Sequence, residues 1–395
     1  MSDKPLMKND RLEVVDALRG FALLAIVLIH NVEHYNMIGQ PELLPEWLGR
    51  LDEQVETAIF FLLAGKAYAT FSLLFGFSFY IQLRNQRARG GDFKGRFAWR
   101  MVLLIFFSQL HALFYNGDIL LLYAFMGFTL IAVCDWSDRK VFLLATICLL
   151  QPVEWIRVVC GLINPDFKSY GDLFYTYYLR AMPILEHGTL PEVLYSNITD
   201  GQLFSNLWQI ENGRLFQVPA LFMFGMLLGR RNYFVRSDGS VKFWKKILAG
   251  ASFAFIPLYL LQKYVPGFFE SQAVVMPLQI VLPSLSNFAF MAILVSSFTL
   301  FWFAADGYKF QRLLIPYGRM SLTNYIGQSI IGGFIYWGCG LGLYPYTGAT
   351  ACLLIGIAIF TVQLFFSRWW LARHKQGVLE SLWRKGMWIG KKSPV

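Results

Sequence analysis

The sequence predicts an all-α fold: a polytopic integral membrane bundle of about ten transmembrane helices with both termini in the cytoplasm. Three observations predict it: the apolar composition, the spacing of long apolar stretches, and the distribution of basic residues between them. Of the 395 residues, 56% are apolar and only 15% are charged, whereas soluble domains contain roughly 25% charged residues. Because a soluble protein always keeps a large polar surface, this composition excludes the soluble classes.

The apolar stretches set the number of crossings. A helix that spans the hydrocarbon core needs about 20 apolar residues, each adding about 1.5 Å of length. The third and fourth stretches are short and joined only by Asn116 and Gly117, which predicts a tight helical hairpin. The predicted spans are residues 15–33, 57–82, 101–116, 118–135, 140–162, 214–230, 246–263, 278–304, 313–338 and 347–371.

The basic residues between the spans predict the orientation. With the N-terminus inside, the segments on the cytoplasmic side carry 25 of the 35 Lys and Arg residues, and the opposite segments carry 4. This asymmetry is typical of membrane proteins, whose cytoplasmic loops are enriched in Lys and Arg. The net charge of +10 is therefore explained by topology. The expected partner is the lipid bilayer, and no nucleic-acid partner is expected.

The whole chain, residues 1–395, is predicted to form a single integral membrane domain. One connection differs from the rest, because residues 163–213 are too polar to span and lie on the extracytoplasmic side in the predicted topology. A connection this long is uncommon, so the segment is a candidate cap or acceptor-binding site. Two glycine pairs predict close helix contacts and permit a homodimer. They are Gly225 with Gly229, and Gly327 with Gly332.

Metal and disulfide chemistry is not expected. The five cysteines lie in or beside apolar runs without a Cys-x-x-Cys spacing, and they are interpreted as small apolar residues between helices. His30 and His34 have the i, i+4 spacing of two zinc ligands. The sequence lacks the His-Glu-x-x-His order and a third ligand nearby, so no metal site is predicted.

Charged side chains inside a membrane span are costly, which makes them functional candidates. The first span carries the densest set, with Asp16 and Arg19 near its cytoplasmic end and His30, Asn31 and His34 at its outer end. Arg19 and His30 are separated by about 16 Å along the helix axis. An alternative interpretation is an interfacial ion pair between Asp16 and Arg19, with the arginine extending to lipid phosphates. His34 would then lie in the outer headgroup layer.

Two other segments add candidates. His111 lies late in the third span and Asp118 opens the fourth, so both face the same side of the membrane as the outer end of the first span. Asp118 is alternatively a simple helix cap. Arg319 and Asn324 enter the ninth span from the cytoplasmic side.

Several stretches together resemble the YeiB-like family of bacterial inner-membrane proteins (domain-of-unknown-function family 418), over essentially the whole chain. They are VVDALRGFALLAIVLIHN, FSLLFGFSFYIQL, HALFYNGDILLLYA, ALFMFGMLLGRR and PYGRMSLTNYIGQS followed by GLGLYP. The tail HKQGVLESLWRKG is similar to the family's Gly-Pro-x-Glu-x-x-Trp-Arg ending, with Val378 where proline is usual. We expect that departure to affect only a local turn. The resemblance implies a multi-pass protein of the bacterial cytoplasmic (inner) membrane, with a YeiB-like membrane region at residues 214–395.

The first helix also resembles, more distantly, the start of a superfamily of transmembrane acyltransferases that includes the heparan-alpha-glucosaminide acetyltransferases. Those proteins begin with an Arg/Asp-x-x-Arg-Gly helix that ends in Asn or His, as Asp16, Arg19, His30 and Asn31 do here. This resemblance implies acyltransferase-like helices over residues 1–162. It also implies acyl-CoA as the donor, taken from the cytoplasm.

The first functional hypothesis is an acyltransferase that moves an acyl group from cytoplasmic acyl-CoA to an extracytoplasmic or envelope acceptor, either a small molecule or a glycan. At the cytoplasmic end, Arg19 and Arg319 would bind the phosphates of acyl-CoA, because guanidinium groups match phosphate oxygens. Asp16 and Asn324 lie beside them in the sequence and complete the predicted donor site.

At the outer end, His30 or His34 would act as the general base on an acceptor hydroxyl or amine, since imidazole titrates near neutral pH. Asn31 would donate a hydrogen bond to the oxyanion. Asp118 would orient the base and His111 would assist.

The second hypothesis is a proton-coupled transporter or exporter, in which the same histidines and Asp118 form a proton relay. Transporters commonly contain inverted repeats, and the two halves of this sequence show no convincing similarity. A third possibility is a membrane scaffold without small-molecule chemistry. Stabilisation of the folded protein by CoA would favour the enzyme.

Overall fold

The computed structural model describes residues 12–387 except positions 38, 40, 42, 43, 92 and 169–172. The described residues form helices and turns, and no β-strand is found among them, which confirms the all-α prediction. The first ten α-helices are α1 (Glu13–Val32), α2 (Glu46–Leu63), α3 (Ala67–Arg87), α4 (Lys94–Ala112), α5 (Leu120–Val133), α6 (Asp138–Leu149), α7 (Pro152–Ile163), α8 (Leu173–His187), α9 (Leu190–Ile198) and α10 (Asp200–Glu211). The remaining α-helices are α11 (Arg214–Arg230), α12 (Asp238–Tyr264), α13 (Gln272–Ala305), α14 (Lys309–Arg319), α15 (Ser321–Tyr336), α16 (Ala349–Leu371) and α17 (Val378–Met387).

The length and composition of the helices indicate a membrane protein. Within the described part of the chain, five helical stretches are long and apolar enough to cross a bilayer: Glu46–Arg87, Asp138–Ile163, Asp238–Phe268, Gln272–Ala305 and Ala349–Leu371. Large apolar side chains face outward, among them Phe253, which is 81% exposed, and Phe106, which is 64% exposed. Such a surface requires a lipid environment. The count of ten crossings and the cytoplasmic termini stay predictions.

Three of the predicted spans are each divided into two helices. The second span is interrupted at Gly65, which has a positive φ of 77°, and the fifth at Gln151, with φ of 55° immediately before Pro152. Proline disfavours the helical conformation in the residue that precedes it. The ninth span is interrupted at Met320, between α14 and α15. Hydropathy measures apolar length and does not detect such local breaks.

Residues 163–213, expected as a long polar connection, contain the three helices α8 to α10. Asn197 of α9 donates a hydrogen bond to the carbonyl oxygen of Leu113 at 3.1 Å. Gln209 of α10 donates to the carbonyl oxygen of Asp118 at 2.9 Å. The segment therefore packs on the turn that joins α4 and α5.

Glycines allow the central helices to approach closely. A Cβ atom on Gly225 of α11 would lie 1.8 Å from the carbonyl oxygen of Leu73 in α3, so only glycine fits this contact. The same holds between α1 and α14, where a Cβ on Gly318 would lie 1.9 Å from the carbonyl oxygen of Asp16. The predicted close helix contact at Gly225 is confirmed. The Arg19-Gly20 and Gly318-Arg319 motifs thus meet in the same helix pair.

Three of the basic segments meet at one end of the bundle. Asp135, in the turn between α5 and α6, pairs with Lys94 at 2.7 Å and with Arg87. Asp138 pairs with Arg230 at 2.8 Å. Hydrogen bonds from Lys94 and Arg87 lower the pKa of Asp135 to about 2. The ends of α3 and α11 and the start of α4 are therefore on the same side of the molecule.

Candidate functional site

A large cavity of about 1800 Å³ follows one face of α1. The residues of α1 that line it include Arg19, Leu23, Ile26 and His30, and the C-cap residue Glu33 also lines it. Their spacing of four and three residues places them on one helical stripe. Because Arg19 and His30 are eleven residues apart, the stripe extends for about 16 Å between them. The two ends of the predicted site therefore border the same cavity.

The wall between the two polar ends is apolar and aromatic. This part of the cavity is lined by Leu23 and Ile26 of α1, Phe71 and Phe75 of α3, and Tyr123 of α5. Phe75 stacks on Phe222 with ring centroids 4.5 Å apart, which holds the aromatic wall in place. Along α1, the cavity therefore has two polar ends and a less polar stretch between them.

At one end of the cavity, Arg19 Nη1 pairs with Asp16 Oδ1 at 2.7 Å, and Arg19 Nη2 donates to the hydroxyl of Ser78. Asp16 is only 1% exposed. The ion pair considered as an alternative for these residues is present, and Arg19 lines the cavity as well. Asp16 holds the guanidinium group in place, which is a positioning role.

Other basic side chains border the cavity near Arg19. Arg319 donates from Nη2 to the carbonyl oxygen of Lys375 at 3.3 Å. The guanidinium carbon of Arg100 lies 5.8 Å from the centre of the Trp383 ring. Arg384 also lines this end. The sequence predicts Arg319 at this site but gives no prediction for Arg100, Trp383 or Arg384.

Trp383 and Arg384 belong to the tail whose sequence is similar to the ending of the YeiB-like family. Glu380 accepts hydrogen bonds from the backbone N–H groups of Leu322 and Thr323, at 2.7 and 3.1 Å, and so caps the start of α15. Trp383 stacks on Phe107 with centroids 5.4 Å apart. Val378 is the first residue of α17, a position where proline is favourable, so the departure from the family pattern is local. The Glu-x-x-Trp-Arg spacing, which runs from Glu380 to Arg384, is the sequence feature that could have indicated these residues.

Asn324 is not among the described residues that line the cavity. Its side-chain nitrogen donates to the carbonyl oxygen of Tyr317 at 3.0 Å and to the hydroxyl of Ser367 at 2.9 Å. Asn324 thus bridges the break between α14 and α15 and connects it to α16. This contact positions Arg319, which ends α14.

His30 lines the other end of the cavity, where its Nδ1 atom lies 3.1 Å from the hydroxyl of Tyr115 and 3.4 Å from a carboxylate oxygen of Glu33. We assign the ring proton to Nδ1, facing these two oxygens, since the tautomer follows from the hydrogen-bond partners. Nε2 then remains as the basic nitrogen. Glu33 and Tyr115, and not Asp118, contact His30.

His34 and Asn31 make fixed structural contacts. His34 Nε2 lies 2.7 Å from the carbonyl oxygen of Thr347, and its ring packs against Tyr336. Asn31 donates to the carbonyl oxygen of Val27 at 2.7 Å and accepts a hydrogen bond from Tyr336 at 2.9 Å. These contacts tie the end of α1 to α15. His34 also lines the cavity, whereas Asn31 is not among the described lining residues.

Three consecutive residues follow α1 in a left-handed conformation. His34, Tyr35 and Asn36 have φ angles of 47°, 53° and 71°, and such angles cost free energy in residues other than glycine. The turn allows Asn36 to donate to Asn116 Oδ1 at 2.7 Å. This contact attaches the end of α1 to the turn between α4 and α5.

His111 and Asp118 form a buried network behind the cavity wall. His111 Nδ1 donates to Asp118 Oδ1 at 2.7 Å, and its Nε2 lies 2.8 Å from the hydroxyl of Ser329. Asp118 also accepts hydrogen bonds from the hydroxyl of Ser108 and from the backbone N–H of Leu121 at 3.0 Å. Asp118 therefore does both: it accepts a hydrogen bond at the start of α5, as the helix-cap interpretation predicts, and it pairs with His111. Ser329 is not predicted from the sequence, because its partner His111 is 218 residues away.

The helices and the cavity define a class of protein: a helical membrane protein with an internal cavity that is polar at both ends. Residues 228–390 match the family described as "Protein of unknown function (DUF418)". The C-terminal part of the chain is therefore similar to this family. No solved structure matches the chain significantly.

Relatives extend the similarity to nearly the full length. The chain is 25% identical to "Uncharacterized protein YxaH" of Bacillus subtilis (strain 168), over 98% of this chain and 96% of the relative. It is 26% identical to "Uncharacterized protein YeiB" of Escherichia coli (strain K12), over 95% and 96%. An "Uncharacterized 39.9 kDa protein in amylase 3'region" of Bacillus acidopullulyticus is 25% identical over 99% and 97%. The expected resemblance to the YeiB-like family is confirmed.

Proposed function

We propose that this protein is a transmembrane acyltransferase that takes acyl-CoA from the cytoplasm and delivers the acyl group to an acceptor at the outer side of the bacterial cytoplasmic membrane. One observation carries the proposal: a single cavity borders both the basic cluster at Arg19 and the imidazole of His30. Acyl-CoA has a polyanionic head and a long, less polar arm that ends in a thioester. These parts match the basic cluster, the apolar wall and the imidazole end of the cavity, in that order.

The basic end of the cavity supports binding of the CoA phosphates. Arg19 is held by Asp16, and Arg100, Arg319 and Arg384 border the same end. Arginine is well suited to phosphate because its planar donors engage two oxygens at once. Trp383, beside Arg100, offers an aromatic face for the adenine ring.

The imidazole end supports general-base catalysis. In the proposed step, an acceptor O–H or N–H attacks the thioester carbonyl while Nε2 of His30 takes its proton. Glu33 and Tyr115 hold Nδ1–H and stabilise the imidazolium that forms. When the carbon–sulfur bond breaks, the CoA thiolate receives the proton from His30, and the acyl group remains on the acceptor. His111, Asp118 and Asn31 act as positioning residues in this proposal.

The orientation is proposed from the charges. The basic residues around Asp135 and Asp138 lie at one end of the bundle, and positive charge favours the cytoplasmic side. The outer side then contains His30, α9 and α10. The ten crossings and the cytoplasmic termini belong to the same proposal.

A proton-coupled transporter is the second candidate. The observation that favours it is the buried pair of His111 and Asp118, joined to Ser108 and Ser329 inside the bundle. Buried ionisable pairs of this kind occur in proton relays.

Binding of CoA separates the two candidates. We expect CoA to raise the melting temperature of the purified wild-type protein by several degrees, since a ligand that binds only the folded state stabilises it. Arg19→Gln should reduce this shift. The matched control, Arg180→Gln, changes an arginine of α8 whose side chain is 61% exposed, and should keep the shift.

Two results would contradict the acyltransferase. One is a wild-type protein whose melting temperature does not respond to CoA or acetyl-CoA at millimolar concentration. The other is a CoA response that is identical in Arg19→Gln and in Arg180→Gln.

A further inference from the structure

Lys66 is a buried cation that the proposed reaction does not use. It lies at the break between α2 and α3, is 7% exposed, and lines the cavity. Its ammonium nitrogen lies 5.4 Å from the ring centre of Phe290 and 5.8 Å from that of Phe61. No Asp or Glu of the described residues forms an ion pair with it. A buried charge without a counter-charge costs several kcal/mol, so Lys66 implies a missing anion.

Arg214 is a second cation in the same part of the cavity. Its guanidinium carbon lies 3.8 Å from the ring centre of Tyr68, which belongs to the first turn of α3, two residues after Lys66. Arg214 Nη1 donates to Gln217 Oε1 at 2.7 Å, and within the described part of the chain no carboxylate pairs with the guanidinium group. Tyr68 donates to the same Gln217, so the starts of α3 and α11 lie beside each other and both cations line this part of the cavity.

The backbone adds positive potential at the same place. Lys66 is the N-cap residue of α3, and Arg214 is the first residue of α11. Neither helix start is capped by the side chain of its N-cap residue. The free N–H groups at a helix start carry partial positive charge and bind oxyanions. Gln262 and Asn287 also line this region and can donate from their amides.

Carboxylates are present along the cavity in a different layer. The cavity is lined by Glu33, by Glu380 and by three carboxylates of α2, Asp52, Glu53 and Glu56. Glu56 precedes the end of α2 at Leu63 by seven residues, which corresponds to about 10 Å along the helix. Lys66 follows that end, so the carboxylates of α2 do not compensate its charge.

We propose that Lys66 and Arg214 bind a phosphate group of the acceptor, with the starts of α3 and α11 contributing backbone N–H donors. The claim that this phosphate belongs to the acceptor rests on the proposed acyl transfer. The claim that Lys66 and Arg214 bind a phosphate does not depend on it. The phosphate belongs either to a lipid headgroup, whose chains would contact the aromatic side chains around Phe61, or to a soluble phosphorylated molecule.

The probes are phosphatidylglycerol and glycerol 3-phosphate, added to the purified full-length protein in detergent. We expect phosphatidylglycerol or glycerol 3-phosphate to raise the melting temperature by about 3 °C. Stabilisation by the lipid alone assigns the phosphate to a headgroup, and stabilisation by glycerol 3-phosphate assigns it to a soluble molecule. Lys66→Gln and Arg214→Gln should lose the shift, and Lys66→Arg should keep it. The control is Lys263→Gln, at the end of α12.

Lys66→Gln also tests the missing counter-charge directly. Without ligand, this variant should melt at the wild-type temperature or above it, because an unpaired buried charge has been removed. A lower melting temperature without ligand would show that Lys66 is structurally paired and would overturn the proposal. Equal stabilisation of all variants, or no effect of either anionic probe, would also overturn it.

CoA binding is measured on the same variants. A CoA shift that persists in Lys66→Gln while the phosphate shift is lost supports two separate sites. If the wild-type protein responds to the anionic probes but not to CoA, the phosphate site stands and the acyltransferase does not.

Discussion

His30 and His34 lie one helical turn apart in the sequence, but their surroundings separate their roles. His30 borders the cavity with Glu33 and Tyr115 beside its Nδ1 atom, whereas Nε2 of His34 is occupied by the carbonyl oxygen of Thr347. The sequence predicted that Arg19 and His30 lie about 16 Å apart along the first helix, because their spacing alone determines this distance. It could not choose between the two histidines, since the partner of His34 is 313 residues away.

Substitution of the two histidines should therefore have different effects. We expect His30→Gln to lower the rate of acetyl-CoA cleavage or transfer by about 10²- to 10⁴-fold, the usual contribution of a general base. His34→Gln should stay within a few fold of wild type, since glutamine can still reach the carbonyl oxygen. The measurement is release of free CoA thiol by the purified protein. His187→Gln, in an exposed part of α8, is the control. Equal losses for His30→Gln and His34→Gln would contradict this assignment.

Asp118 is expected to act through structure. Asp118→Asn keeps the shape of the side chain but weakens the hydrogen bonds from His111, Ser108 and the backbone of Leu121. We expect the free energy of unfolding to fall by about 1–3 kcal/mol, the cost of leaving buried polar groups poorly satisfied. Thermal unfolding of the variant measures this change. Unchanged stability with lost CoA-thiol release would instead make Asp118 a participant in the chemistry.

At the scale of elements, five of the predicted apolar stretches coincide with helical stretches long and apolar enough to cross a bilayer, and the structure added breaks and short helices. The break at Gly65 places Lys66 in the cavity, and the break at Met320 places Arg319 there. Hydropathy cannot predict these positions, because they depend on single left-handed residues and on distant partners such as Ser367. The glycine contacts could be predicted from the sequence, but their partner helices could not.

The contact between α3 and α11 gives a direct test of the packing. Gly225→Ala forces a Cβ atom against the carbonyl oxygen of Leu73, and we expect a loss of about 1–3 kcal/mol of stability. Gly250→Ala is the matched control, because nothing lies within 4 Å of a Cβ atom there. It should be neutral or slightly stabilising, as alanine favours helices. Similar melting temperatures for both variants would show that α3 and α11 are farther apart than described.

The turn between α5 and α6 predicts a pH dependence. The pKa of Asp135 is lowered from 3.8 to about 2, so its contribution to stability is complete above the unfolded pKa and is lost as the pH falls toward the folded one. Asp135→Asn should therefore lower the melting temperature at pH 7, and the difference from wild type should vanish between about pH 4 and pH 2. Asp166→Asn, in an exposed loop, is the control. A difference that persists at pH 2 would contradict the ion-pair explanation.

At the scale of the molecule, one cavity connects a basic end to an imidazole end along α1. The sequence predicted the two ends from the charged residues of the first span. It could not predict that the space between them is open, because that space is enclosed by side chains of α3 and α5 that come together only in the fold. The outward-facing phenylalanines suit the apolar core of a bilayer. The basic residues of three segments meet at one end of the bundle.

A structure of the protein with a non-cleavable acyl-CoA analogue would test the proposed path most directly. We expect the phosphates to contact Arg19 and Arg319, the arm to run past Leu23 and Ile26, and the acyl carbonyl to lie close to Nε2 of His30. An analogue bound outside the cavity, or bound with its acyl end at Arg19, would contradict the proposed acyl transfer.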